Sequence, residues 1–235
     1  MNGTAATDGA GLTPALLKLD IDGAALYQSA ALSILPDLIP IAETQPANRA
    51  GIRLYGVERL RPHLAAESIL GGLASEHLGP GCRPVRAILF DKSAATNWSL
   101  GWHQDRTIVV RDRIDTPGFG PWTLKSGLVH VAPPAYLLAG MMTMRVHLDA
   151  VPPTNAPLLI APGSHRLGRI PEIEIDHAVA RCGTATCLAE AGDVWLYATP
   201  ILHASAASTN STGRRVLQID FAAVDLPNGL AWMGV

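Results

Sequence analysis

The rhythm of apolar and polar positions changes once along the chain. Before Pro84, the segments GAALYQSAALSIL and PHLAAESILGGLASEHLG read as two helices. The second has the clearer ends: Pro62 suits an early helical position, Ala65, Ile69, Leu73 and His77 recur at four-residue spacing, and the GPG at Gly79–Gly81 stops it. From Pro84 onward, short runs rich in Val, Ile, Leu, Trp and Tyr take over: VRAILF, NWSLGWHQ, RTIVVR, LVHVA, LLAGMMTMRVHL, LLIA, ATCLA, DVWLY and RRVLQIDFA. Turn segments such as PGFG, PPTNAP, PGSH, AGD and NSTG separate them, a pattern of an antiparallel sandwich or jelly roll rather than of strand–helix units. The reading is one mainly-β domain over 1–235, with a flexible start over 1–13, a helical layer over 14–82 and a β core over 83–225.

Composition narrows the function classes. With 48% hydrophobic residues in a chain of 235, there is material for one sizeable core. Charged residues make up 16%, the net charge is -2 and no Lys/Arg run occurs, which argues against nucleic-acid or membrane-surface binding and for a small-molecule partner. Cys82, Cys182 and Cys187 lack CxxC spacing and suit free thiols in a reducing compartment. The longest greasy run, AYLLAGMMTM, is closed by Arg145 and is too short to span a bilayer, so a cytoplasmic protein is expected. Oligomeric state leaves no trace in the pattern.

Two HxD pairs compete as metal sites: His103 and Asp105 in GWHQD, and His147 and Asp149 in RVHLD. Residues two apart on a strand share a face, so either pair could reach one ion, and spacing alone does not choose. His203, just after the DVWLY strand, offers a third ligand, and GRRVLQIDF brings two arginines about eleven residues later. Two imidazoles and one carboxylate on one side of Fe(II) leave positions open for chemistry. If 2-oxoglutarate fills two of them, its far carboxylate needs a cation, and a planar arginine fork has the right shape.

Taken in order, WHQD, PGSHRLG and AGDVWLYATPILHASAASTNSTGRR resemble the phytanoyl-CoA dioxygenase family of Fe(II)/2-oxoglutarate oxygenases, over roughly Val85 to Phe221. The resemblance implies a double-stranded β-helix, the cupin-like jelly roll, with N-terminal helices packed on one sheet. It implies His103, Asp105 and His203 as iron ligands, and Arg214 as the partner of the distal carboxylate. Ser205 resembles a residue that hydrogen-bonds the cosubstrate, and Arg145 and Gln104 are further cosubstrate candidates. Strand alternation favours Arg214 over Arg215, because Arg215 shares a face with Leu217, Ile219 and Phe221, which suit packing against another layer. Asp149 becomes structural, since too few strands separate HLD from His203 for a jelly roll.

The remaining candidates carry less. Ser164 and His165 read as a turn rather than a nucleophile pair; His130 faces either the cavity or the core, with core favoured, and Lys92 either borders the pocket or, the ordinary reading, is an exposed turn lysine. His63, His77 and His177 receive no role. GFGPWTLKSG reads as a long loop whose Trp122 and Lys125 could close over a substrate. The expected function is therefore hydroxylation of a small organic molecule, using Fe(II), O2 and 2-oxoglutarate, releasing succinate and CO2, with ascorbate as a candidate reductant. Halogenation is disfavoured because Asp105 is present. A cupin-like metalloenzyme without 2-oxoglutarate, or a catalytically silent binding protein, are the alternatives.

Overall fold

A computed structural model describes residues 17–46, 49, 51–93, 96–209 and 213–235. The flexible start expected over 1–13 lies outside the described residues.

The strands, in chain order, are β1 (Ala24–Tyr27), β2 (Gly51–Arg53), β3 (Arg83–Lys92), β4 (Leu100–His103), β5 (Ile108–Val110), β6 (Trp122–Lys125) and β7 (Leu128–Val131). They continue with β8 (Met141–His147), β9 (Leu158–Ile160), β10 (Ala185–Cys187), β11 (Val194–Ala198), β12 (His203–Ser205) and β13 (Arg214–Ala222). A six-stranded sheet, β1-β11-β8-β13-β3-β2, faces a four-stranded sheet, β10-β9-β12-β4, and a three-stranded sheet, β5-β7-β6, extends the β layer. Pairing is antiparallel throughout these ladders, and the two facing sheets make the jelly roll expected from the sequence.

Alternation along β13 and β8 sorts side chains between two faces of the large sheet. Leu217, Ile219 and Phe221, with Met144 and Val146, face outward and pack under Leu35, Leu38, Ile41, Leu60, Leu64, Leu70 and Ala74 of the N-terminal segment. Each fully buried leucine in that layer contributes about 1.5–3 kcal/mol relative to exposure. The opposite face of β13 carries Arg214, Gln218 and Asp220, all buried, and looks into the space between the sheets. A second apolar group, Leu158, Ile160, Ala185, Cys187, Trp195 and Tyr197, closes one end of that space.

The helical layer exists but its parts differ from expectation. Ala24–Tyr27, read as the start of a helix, is β1 and pairs with β11 at the sheet edge; the helix α2 spans Leu35–Glu43, after α1 (Leu19–Asp22). Pro36 stands at its first turn, where a missing N–H costs nothing. The PHLAAESILGGLASEHLG segment is two helices, α3 (Arg61–Leu64) and α4 (Ile69–Leu78), because Ala65 turns extended (ψ 152°) and Ser68 caps α4 by accepting from the Gly71 N–H. Gly71 also permits this break: a Cβ there would lie 1.9 Å from the Ala65 carbonyl oxygen. The buried stripe of α4 is Leu70, Gly71 and Ala74, whereas Ile69 is 43% exposed, so the four-residue recurrence marked the wrong face. Two further helices, α5 (Ala135–Ala139) and α6 (Ile175–Cys182), flank the β core.

The expected loop GFGPWTLKSG is also ordered. It forms β6 and a tight turn into β7 in which Ser126 (φ 52°) and Gly127 (φ 76°) both take left-handed conformations, the geometry of a short hairpin connection. No described helix is long and apolar enough to cross a membrane.

Candidate active site

Strands β4 and β12 pair directly, with His203 opposite His103. Their rings lie 4.2 Å apart between centroids, and Asp105, two residues beyond His103, completes a group whose ligand atoms all lie within 4.8 Å of one another. Each histidine is oriented by its own strand: His103 Nδ1 lies 2.8 Å from the Gly101 carbonyl oxygen and His203 Nδ1 lies 2.9 Å from that of Ile201. With Nδ1–H donating to backbone, the free lone pair is on Nε2, the tautomer a divalent metal requires. Burial, tempered by Asp105, brings the His203 pKa down to about 4, so this imidazole is neutral at physiological pH. Ser164 holds the preceding residue, its Oγ accepting from the Leu202 N–H at 2.9 Å, which gives the PGSH turn its structural role. The donor set of two imidazoles and a carboxylate fits Fe(II) with positions left open.

The competing pair is not brought together. β8 ends at His147, and Asp149 leaves the strand for the outer side, where both its oxygens accept from Arg215: Nε at 2.9 Å, Nη2 at 2.7 Å, and the Arg215 backbone N–H at 2.7 Å. Asp149 is thus taken up by Arg215, which also pairs with Glu43.

Beside the triad is a cavity of about 250 Å3. Its walls include Arg86, Ile88 and Phe90 of β3, Arg145 of β8, Arg214 and Gln218 of β13, and Ser205. Arg214 is 2% exposed; its Nη1 donates to the carbonyls of Asn155 and Ala156, while its Nε has no partner. Burial and then Arg145 lower its pKa to about 9. Lys92, opposite Arg214 across the β13–β3 ladder, is 1% exposed rather than an exposed turn residue, and donates to Ser205 Oγ (3.1 Å) and the Ala206 carbonyl (2.6 Å). Burial, Arg214 and Arg145 lower its pKa to about 8. Arg145 donates to Gln218 Oε1 at 3.0 Å and stacks 5.3 Å above the Phe90 ring. Arg214, Arg145 and Lys92 form no carboxylate ion pair among the described residues.

Three candidates sit elsewhere than expected. Gln104 points away from the cavity, and its amide is fully used: Nε2 donates to the carbonyls of Gly168 (2.9 Å) and Pro200 (2.7 Å), and Oε1 accepts from the Ile170 N–H (2.9 Å). It ties three loops together and is not available to a cosubstrate. Trp122 packs with the Val110, Val131 and Leu138 cluster and lies 5.5 Å beneath the Arg113 guanidinium, outside the cavity, whereas Lys125 does line it. His130, read as a core histidine, is buried at 1% but lines the same cavity.

Comparison with known proteins agrees with this geometry. The phytanoyl-CoA dioxygenase (PhyH) family model matches residues 58–216. The chain belongs to the phytanoyl-CoA dioxygenase family. Members of this family are Fe(II)- and 2-oxoglutarate-dependent oxygenases. Similar solved structures include EctD from S. alaskensis with bound Fe (TM-score 0.61, 17% identity, covering 96% of this chain and 86% of that one). The non-heme alpha ketoglutarate dependent epimerase SnoN from nogalamycin biosynthesis gives a TM-score of 0.62 at 15% identity, covering 87% and 77%. AviO1 from Streptomyces viridochromogenes Tue57 gives 0.58 at 19% identity, covering 96% and 99%. No curated protein sequence matches significantly.

In this phytanoyl-CoA dioxygenase family member, the sequence reading missed one residue that holds the site together. Arg86 Nη2 donates to Asp105 Oδ2 at 3.3 Å, and its Nε donates to Asp220, which also accepts from Thr143 Oγ1 at 3.1 Å. Burial alone would lower the Arg86 pKa, but Asp220 and Asp105 hold it above its ordinary value. Asp105 is correspondingly held below the usual carboxylate range: burial opposes ionisation, and Arg86, His203 and His103 outweigh it. Arg86→Gln is expected to weaken Fe(II) affinity by about 10–100-fold, the range for an outer partner of a ligand, read by anaerobic iron titration.

The cationic end of the cavity also sets a pH dependence of stability. His147 is 2% exposed with neither ring nitrogen hydrogen-bonded, and burial, Arg145 and Arg214 push its pKa from 6.5 down to about 3. Between those values the unfolded chain binds a proton that the folded chain refuses, so stability falls as pH drops through the window. The share from this residue approaches about 1.4 kcal/mol per pH unit. His147→Gln should remove that share from urea-unfolding free energies measured at pH 7, 6 and 5, and an unchanged slope would show that His147 takes up the proton while folded.

Proposed function

We propose that the protein hydroxylates a small organic molecule, with His103, Asp105 and His203 holding Fe(II) and Arg214 binding the far carboxylate of 2-oxoglutarate. The observation that carries this reading is the placement of an open His–Asp–His set beside Arg214, Arg145 and Lys92, which form no ion pair among the described residues. When bound, iron and 2-oxoglutarate supply O2-dependent oxidation with release of succinate and CO2.

The chain's own residues do the rest. Backbone carbonyls fix both imidazole tautomers, and Arg86 keeps Asp105 ionised and aimed. Arg214, held by the Asn155 and Ala156 carbonyls, is already in place before any anion arrives, so little side-chain entropy is lost on binding. Lys92 and Arg145 add positive charge on the same side, and Ser205, bonded to Lys92, lines the wall next to His203. Ile88, Phe90, Leu158 and Ala204 give the cavity an apolar surface that keeps water from the reacting centre. The free thiols of Cys82, Cys182 and Cys187 support placing the protein in a reducing cytoplasm.

The test is a metabolite screen for substrate-dependent succinate release, preceded by anaerobic addition of Fe(II) and 2-oxoglutarate. A weak visible charge-transfer band that needs both components is expected. Absence of the band would favour a cupin-like metalloenzyme or a silent binding protein.

A further inference from the structure

The cavity has a second cationic end that the iron and 2-oxoglutarate reading leaves unused. Arg53 of β2, Lys125 at the end of β6 and His130 of β7 all line it. β2 lies against β3, with Arg53 opposite Ile88, whereas Arg214 lies opposite Lys92. From Ile88 to Lys92 is about 13 Å of strand at ~3.3 Å per residue, so the two cationic ends are well separated. The hairpin carrying Lys125 and His130 is fastened over Arg53 by a 3.2 Å hydrogen bond from Arg53 Nη1 to Ser126 Oγ.

Two of these groups carry buried nitrogens without a partner among the described residues. His130 is 1% exposed, faces the cavity and has neither ring nitrogen hydrogen-bonded; the buried Nε of Arg53 is likewise unpartnered. Neither Arg53 nor Lys125 forms an ion pair among the described residues. The nearby Arg86 adds no free positive charge, because it faces two carboxylates, Asp220 and Asp105; the positive charge at this end is that of Arg53 and Lys125. An Fe(II) ion and a 2-oxoglutarate dianion would cancel each other and leave this end of the cavity positive. Leaving the buried Arg53 Nε and His130 ring nitrogens without partners is costly, and an anion that satisfies both would also meet the exposed Lys125 ammonium at the rim of this end.

Building on the proposed reaction, we infer that the substrate is an organic anion whose acidic group docks on Arg53, Lys125 and His130, on the Arg86 side of the metal ligands. Electrostatics agree: burial, then Arg53, Arg86 and Lys125, lower the His130 pKa to about 4, so the ring is neutral and donates a single N–H. The positive charge comes from Arg53 and Lys125, and His130 adds direction.

Butyrate and its neutral isostere butyramide are the probes, titrated calorimetrically into anaerobic protein saturated with Fe(II) and 2-oxoglutarate. Butyrate should bind at least about tenfold more tightly than butyramide, a preference of about 1.4 kcal/mol. The preference should vanish in an Arg53→Gln, Lys125→Gln double variant that keeps its 2-oxoglutarate affinity, and should be partly kept in Arg53→Lys. Equal binding of the two probes, no binding of butyrate, or an undiminished preference in the double variant would overturn the inference while leaving the charge-transfer band intact. Loss of the band itself would instead remove the proposed reaction, and this inference with it.

Discussion

His103→Ala and Asp105→Ala are each expected to abolish iron-dependent turnover, and Asp149→Ala to leave iron bound. The two HxD pairs look interchangeable as strings, but the fold treats them oppositely. His103 and Asp105 converge with His203 to within 4.8 Å, whereas Asp149 is spent on Arg215 at 2.7 and 2.9 Å on the outer side of the large sheet. Removing a member of the triad leaves two ligands, so iron affinity should fall beyond the ~100-fold typical of an outer-shell change. Asp149→Ala instead frees a partly exposed arginine and costs stability on the order of 1 kcal/mol. Anaerobic iron titration and thermal melts of the variants separate the two effects. Iron loss in Asp149→Ala with an unchanged melt would refute the assignment.

How much of this was legible in the sequence depends on how local the signal is. The β core is written in short Val/Ile/Leu runs, and VRAILF, DVWLY and RRVLQIDFA each fall on a strand. His203 and Arg214 lie in one continuous segment, AGDVWLYATPILHASAASTNSTGRR, whose family resemblance implies their roles. β1 escaped because AALY has no alternation of its own; its pairing with β11 makes it a strand. WTLK does alternate, but four residues set among Gly, Pro and Ser read as loop, and pairing with β7 makes them a strand. Arg86 could be placed on a strand but not given a role, since its partners Asp105 and Asp220 lie far along the chain. Strand count sets the His147–Asp149 pair aside, yet the firmer reason is the Asp149–Arg215 pair, which no one-dimensional pattern displays. Gln104 shows the opposite failure: it neighbours two ligands in sequence, and strand alternation turns it away from them.

The adjacent arginines offer the second large effect. Arg214→Ala should raise the 2-oxoglutarate dissociation constant by about 30- to several-thousand-fold, the equivalent of losing about 2–5 kcal/mol from a buried charged contact. Arg215→Ala should leave that constant unchanged and lower the melting temperature instead. One residue of register decides this difference. Arg214 faces the cavity with Gln218, while Arg215 lies on the Leu217, Ile219 and Phe221 side and pairs with Asp149 and Glu43. Arg214→Lys refines the test, because it keeps the charge but loses the fork; an intermediate affinity would show that geometry contributes alongside charge. The readout is anaerobic titration of Fe(II)-loaded protein with 2-oxoglutarate, followed by the charge-transfer band. If Arg214→Ala bound 2-oxoglutarate normally, the cationic pocket formed with Lys92 and Arg145 would have to serve a different anion, and a metalloenzyme without 2-oxoglutarate would become the better account of the same three ligands.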